Sequence, residues 1–241
     1  MKVLTISSLK GGVGKTTLGI FLARALAGRG HRVLGVDLDH NNNATDYWMR
    51  YNVAEAIESL SVLRVLTRQI TLEAAITKTA MGFDFIPATP TLSRVGVELA
   101  RDPGAALRLR AGLRKLDYDF VIIDTPPSLS LELTIGLYAA DLVLVPLSAS
   151  RWTLQGFQII ADEVARVEEA GLPAPGMLAV PSMVSESEEK ALRETEGWTL
   201  SRASIYRDAA VRGAVDAGRG LREGTRATGW FEALAGEVVG C

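Results

Sequence analysis

Met1-Lys2-Val3-Leu4-Thr5-Ile6-Ser7-Ser8-Leu9-Lys10-Gly11-Gly12-Val13-Gly14-Lys15-Thr16-Thr17 is the stretch that decides the fold. Val3 to Ile6 reads as a short buried strand. Lys15 to Gly28 places Leu18, Leu22, Ala25 and Leu26 at helical spacing, and Gly28-Arg29-Gly30 stops the helix. A strand, a glycine loop and a helix in that order form a phosphate cradle. Gly11, Gly12 and Gly14 allow backbone angles that let successive N–H groups converge on phosphate oxygens. The start of the helix adds the positive end of its dipole. Lys15 would reach the β- and γ-phosphates of a nucleotide, and the Thr16 hydroxyl would ligate Mg²⁺. Val13 and Thr17 complete the loop. The common pattern G-x-x-x-x-G-K-[ST] is met at Gly14, Lys15 and Thr16 but fails at its first position, where Leu9 stands. An extra lysine, Lys10, opens the loop instead.

Working outward, apolar runs alternate with helical patterns to the end of the chain. Runs at 33–36, 83–87, 120–123, 142–146 and 177–180 read as strands. Segments 104–116, 131–140, 152–170, 186–196 and 228–239 read as helices. Continuous apolar strands separated by helices predict an α/β fold, a mostly parallel twisted sheet with helices on both faces. With 241 residues, 48% of them apolar, one domain over 1–241 suffices. The Gly- and Arg-rich stretch 197–227 receives no assignment. A net charge of −2 means that any nucleic-acid contact must come from a local patch. The single cysteine, Cys241, excludes a disulfide framework within one chain, which fits a reducing cytoplasmic setting. No apolar run reaches the length of a membrane span, and no signal-peptide layout opens the chain.

Three acids end strands. In Val36-Asp37-Leu38-Asp39 the two-residue alternation puts Asp37 and Asp39 on one face. Asp124 closes Phe120-Val121-Ile122-Ile123 and is followed by Thr125-Pro126-Pro127-Ser128. Acids at the carboxyl end of a sheet need a positive neighbour, which a magnesium nucleotide supplies.

Lys10-Gly11-Gly12-Val13-Gly14-Lys15-Thr16-Thr17 resembles the deviant Walker-A loop of the ParA/MinD ATPases. The Asp-x-Asp at 37–39, the Asn-Ala-Thr at 43–45 and the Asp-Thr-Pro-Pro-Ser at 124–128 resemble that family's later motifs. The resemblance extends over nearly the whole chain and is nearest to the short Soj-like branch, without a separate DNA-reading domain. It implies ATP and Mg²⁺ as cofactors, and slow hydrolysis to ADP and phosphate. It implies that Lys10 reaches across an ATP-dependent homodimer to the partner's phosphates, in the manner of an arginine finger. It implies that Asp39 positions the attacking water, that Asp37 and Asp124 organise the metal, and that Arg207 borders the adenine. Two departures stand out. Pro181-Ser182-Met183-Val184-Ser185 replaces the family's Thr or Asn followed by Arg, and Ser148-Ala149-Ser150-Arg151-Trp152 replaces a more acidic or glutamine-bearing stretch.

The resemblance leaves several uses for such a switch. A ParA-type partition or positioning ATPase would bind nonspecific DNA in its ATP form and release it when a ParB-like or other cargo adaptor stimulates hydrolysis. That protein would be cytoplasmic and nucleoid-associated. The late arginines Arg202, Arg207, Arg212, Arg219, Arg222 and Arg226 are candidates for salt-sensitive phosphate contacts, with Arg212 and Arg219 on one helix face. A MinD-like membrane-associated ATPase would need a basic amphipathic tail. The tail here, Gly229 to Val239, carries acidic charges and reads as a helix docked on the core. An iron–sulfur relative would need cluster cysteines, which are lacking. The partition reading is the one adopted.

Overall fold

The computed structural model describes residues 1–79, 81–102, 104–150 and 152–241. Arg151, in the stretch singled out above, lies outside the described residues. The elements run β1 (Lys2–Ile6), α1 (Lys15–Gly28), β2 (Val33–Asp37), α2 (Asn43–Trp48), α3 (Ala54–Ser59), α4 (Val62–Leu66), α5 (Leu72–Ala75), β3 (Thr77–Lys78) and β4 (Asp84–Ile86). A 3₁₀ turn at Pro90–Arg94 precedes α6 (Val95–Glu98), α7 (Ala105–Leu113), β5 (Phe120–Asp124), α8 (Leu131–Ala139), β6 (Leu142–Leu147) and α9 (Thr153–Glu169). The chain closes with β7 (Gly176–Val184), α10 (Glu186–Glu194), β8 (Ile205–Tyr206), α11 (Ala209–Asp216) and α12 (Arg226–Gly240).

The eight strands form one sheet in the order β3-β4-β2-β5-β1-β6-β7-β8. All neighbours are parallel except the short edge strand β3. The central strands are buried on both faces, as their unbroken apolar runs predict. On one face α1, α11 and α12 pack against Leu4, Ile6 and Ile122. On the other, α4, α7 and α8 cover Val3, Val36, Val121 and Ile123, while α8 and α9 cover Val143 and Val145. Gly136 lets α8 lie close to the sheet, since a Cβ there would sit 2.8 Å from Thr125 Cγ2.

The tail behaves as its sequence suggests. In α12, Phe231, Leu234, Ala235 and Val238 are all buried in the cluster shared with α1. Phe231 alone is worth about 2 kcal/mol of burial, and its ring lies 5.1 Å from that of Phe21. No helix among the described residues is long and apolar enough to cross a membrane.

Two features differ from expectation. β7 does not stop at 180 but runs to Val184 through a register shift at Met183, whose φ is +55°. The stretch left unassigned at 197–227 contains β8 and α11. Its helix is short because Gly218, at φ +60°, turns the chain, and the N–H groups of Gly218 and Arg219 cap the Val215 and Ala214 carbonyls. Arg219 therefore lies beyond the helix and does not share a face with Arg212.

Candidate functional site

β1, β5 and β2 are neighbours, and their register sets Ile6 and Asp37 both opposite Asp124. Three loops distant in sequence thus leave the same sheet edge together. The loop after β1 turns through Gly12 (φ +75°) and Gly14 (φ +84°) before entering α1. Ser182 of β7 fixes its outer side by donating a 2.8 Å hydrogen bond to the Val13 carbonyl. Gly11, Gly12, Gly14, Lys15, Thr16 and Thr17 form one wall of a cavity of about 640 Å³ that also takes in Asp39. Val13 is buried and does not line this cavity.

Lys15 is 7% exposed. Burial lowers its pKa, and the negative charges of Asp124 and Asp39 work against that shift. Asp124 accepts a 2.7 Å bond from the Thr16 hydroxyl through Oδ2. Its Oδ1 is buried without a partner. Burial pushes the Asp124 carboxyl up, opposed by the Thr16 bond and Lys15 and reinforced by Asp39. Burial also raises Asp37, with Asp124 as the next cause. One lysine among three acids leaves the site short of positive charge. A hydroxyl beside an unpartnered carboxylate oxygen suits a hard divalent cation. Thr16 and Asp124 therefore fit Mg²⁺.

Asp37, which the resemblance assigns to the metal shell, has both carboxylate oxygens engaged by the loop that follows it. It is fully buried and does not line the cavity. Its Oδ1 accepts from the Asp39 N–H at 2.9 Å, and its Oδ2 from the Thr45 N–H and hydroxyl at 3.0 and 2.8 Å. These bonds anchor the loop after β2. The Thr45 hydroxyl in turn accepts from the Ala88 N–H at 2.9 Å, tying the loop to the exit of β4. Asp39 lines the cavity and accepts two 2.9 Å bonds from Asn41.

Lys10 lies elsewhere. It is exposed, donates to Ser148 Oγ at 3.2 Å and lines a separate, largely apolar cavity of about 370 Å³ with Val145, Leu147 and Phe157. Arg207 does not line the phosphate cavity, and its guanidinium pairs with Glu188 of α10 at 3.0 Å. Arg202, Arg212, Arg219 and Arg222 are all exposed but are dispersed, Arg202 ahead of β8, Arg212 on α11, and Arg219 and Arg222 in the loop after it. Arg226 lies over the Tyr206 and Trp230 rings. Tyr47 and Arg50, which close the cavity from the side of α2, were not found from sequence. Tyr47 lies in, and Arg50 just after, a short helix whose six residues carry no decisive period.

Both lysines, the two left-handed glycines and the carboxyl-edge acids define a P-loop nucleotide-binding domain of the two-lysine type. An AAA domain family model matches residues 1–173. The chain is 34% identical over 171 residues to the chromosome partitioning protein ParA of Myxococcus xanthus, an overlap of 70% of this chain and 59% of that protein. It is 40% identical over 171 residues to the chromosome-partitioning ATPase Soj of Thermus thermophilus, covering 70% and 63%. An Asp-to-Ala variant of McdA from Cyanothece, solved as an ATP complex, superposes with a TM-score of 0.86 at 25% identity over 100% of this chain and 96% of that one. The chain spans 59% and 63% of the length of the two curated relatives. It belongs to the ParA/Soj family of P-loop ATPases.

Proposed function

We propose that this chain is a ParA-type ATPase, a switch that binds Mg-ATP, dimerises with it, holds nonspecific DNA and positions a cargo through an adaptor that stimulates hydrolysis. The observation that carries the nucleotide half is the unpartnered Asp124 Oδ1, buried behind Thr16 beside a cavity with Lys15 in its wall. The ATP-bound McdA variant supports ATP as the ligand.

In this reading the N–H groups of Gly11 to Thr16 bind the phosphate oxygens, and Lys15 neutralises the β- and γ-phosphates. Thr16 and Asp124 hold Mg²⁺, which supplies charge neutralisation between the phosphates. Asp39 orients the attacking water, and Asn41 fixes the Asp39 carboxylate for that task. Asp37 positions Asp39 through its backbone N–H. Lys10, exposed and directed away from its own cavity, is free to serve the partner's phosphates. The charge of two nucleotides buried between subunits makes that second cation valuable.

The exposed arginines Arg202, Arg212, Arg219 and Arg222 are the candidate DNA contacts. Relatives named for chromosome partitioning support the cargo role. The docked, acidic tail helix favours DNA over a membrane as the surface. The test is binding to nonspecific duplex DNA without nucleotide, with ADP and with ATP, at two salt concentrations, in Asp39→Ala. ATP-dependent, salt-sensitive binding is expected. Absence of binding in every state, with an intact dimer, refutes the DNA role.

A further inference from the structure

The cavity has a wall that no motif announces. Arg50, just past α2, lines it together with Tyr47, Val215 and Asp216. The Arg50 guanidinium donates a 3.0 Å hydrogen bond to the Asp216 carbonyl, at the end of α11. The Ala214 and Val215 carbonyls are capped by backbone N–H groups, whereas that of Asp216 is met by Arg50. The same guanidinium packs on Gly218, where a Cβ would sit 2.9 Å from its Cζ and Nε. Tyr47 donates its hydroxyl to the Arg219 carbonyl. The Arg24 guanidinium covers Gly220 so closely that a Cβ there would overlap it. Three side chains therefore pin the Gly218-Arg219-Gly220 turn, and two of them, Arg50 and Tyr47, border the phosphate cavity.

We propose that Arg50 is a phosphate-binding residue of this cavity, and that it gives up the end of α11 when a nucleotide is bound. The proposal rests on the nucleotide reading above. Its physical basis is a competition between acceptors. The Asp216 carbonyl is a neutral acceptor for an exposed guanidinium. A polyphosphate offers charged oxygens, which add ion-pair attraction and a bidentate geometry that one carbonyl cannot match. The cavity also needs the charge. Its lining sets Lys15 and Arg50 against Asp39, Asp46 and Asp216, so a polyanion entering it calls on both cations. Turning Arg50 to the phosphates removes the donor from Asp216 and the cover from Gly218, which loosens the turn that carries Arg219 and leads to Arg222. The nucleotide state is thereby communicated to the arginine-bearing loop by one side chain.

The test compares wild type, Arg50→Ala and Arg50→Lys by calorimetric titration with a non-hydrolysable Mg-ATP analogue and by hydrogen exchange with and without it. Loss of one charge-assisted contact predicts about tenfold weaker binding in Arg50→Ala, with partial recovery in Arg50→Lys, which keeps a point charge. Without ligand, Arg50→Ala exchanges faster than wild type over residues 217–222. Adding the analogue to wild type protects 10–17 and speeds exchange over 217–222. Unchanged affinity in Arg50→Ala, or a turn whose exchange the analogue does not accelerate, overturns the proposal and shows a purely structural arginine. A wild type that neither binds the analogue nor gains protection at 10–17 overturns the nucleotide reading, and the proposal with it.

Discussion

Replacing Gly14 by alanine isolates the geometry of the phosphate loop from its chemistry. Gly14 sits at φ +84°, where a side chain costs about 1–2 kcal/mol. Its new Cβ would lie 3.0 Å from Ser182 Oγ and 3.2 Å from Met183 Cγ. Ser182 must then move off the Val13 carbonyl, losing a buried hydrogen bond worth about 1 kcal/mol. The sum is about 2–3 kcal/mol, which for a chain of this size lowers the melting temperature by about 4–12 °C. Differential scanning calorimetry without nucleotide measures it. Gly11→Ala is the control, since nothing lies within 4 Å of its Cβ and its φ is not positive. Its stability stays within about 0.5 kcal/mol of wild type. If the two substitutions cost the same, or Gly14→Ala melts with wild type, the loop is not held as described.

Thr45→Val removes the hydroxyl that serves both Asp37 and the Ala88 N–H, leaving a buried donor unpaired. A loss of about 2–3 kcal/mol follows in urea unfolding, with the slope unchanged. Lys15→Ala abolishes Mg-ATP binding in calorimetric titration, because the phosphate wall loses its buried cation. Asp39→Ala retains Mg-ATP but stalls phosphate release, leaving a persistent dimer by light scattering; hydrolysis at the wild-type rate refutes its role. Lys10→Ala keeps nucleotide affinity in the monomer within about threefold, yet fails to form the ATP dimer in sedimentation, since its ammonium lies outside its own cavity.

The sheet and the loop were legible because their signals are local. β-branched runs such as Phe120 to Ile123 admit one burial pattern, and the glycines at 11, 12 and 14 admit one kind of turn. Asp39 and Asp124 were legible as strand ends. Alternation places Asp37 on the face of Asp39 but does not reveal that Thr45, eight residues on, takes up its Oδ2. The pairing of Arg207 with Glu188 was not legible, because it depends on how α10 meets β8. Arg50 and Tyr47 were missed because they act on α11 and the turn after it, roughly 170 residues away along the chain, through contacts that only tertiary packing creates. The pairing of Arg212 with Arg219 failed on Gly218, whose left-handed φ ends the helix between them.

The level ends of β1, β5 and β2 have a consequence for how such a chain tolerates change. With Asp37 and Asp124 directly opposed across neighbouring strands, the strands act as rulers that measure the distance from the core to the ligand. An extra residue in the loop after an acid leaves that measurement intact. An extra residue inside a strand turns every side chain beyond it to the opposite face, so the carboxylate would swing from the nucleotide side into the apolar layer. Insertions recovered from a random library selected for function should therefore cluster in the connecting loops and spare the five residues of each of these three strands.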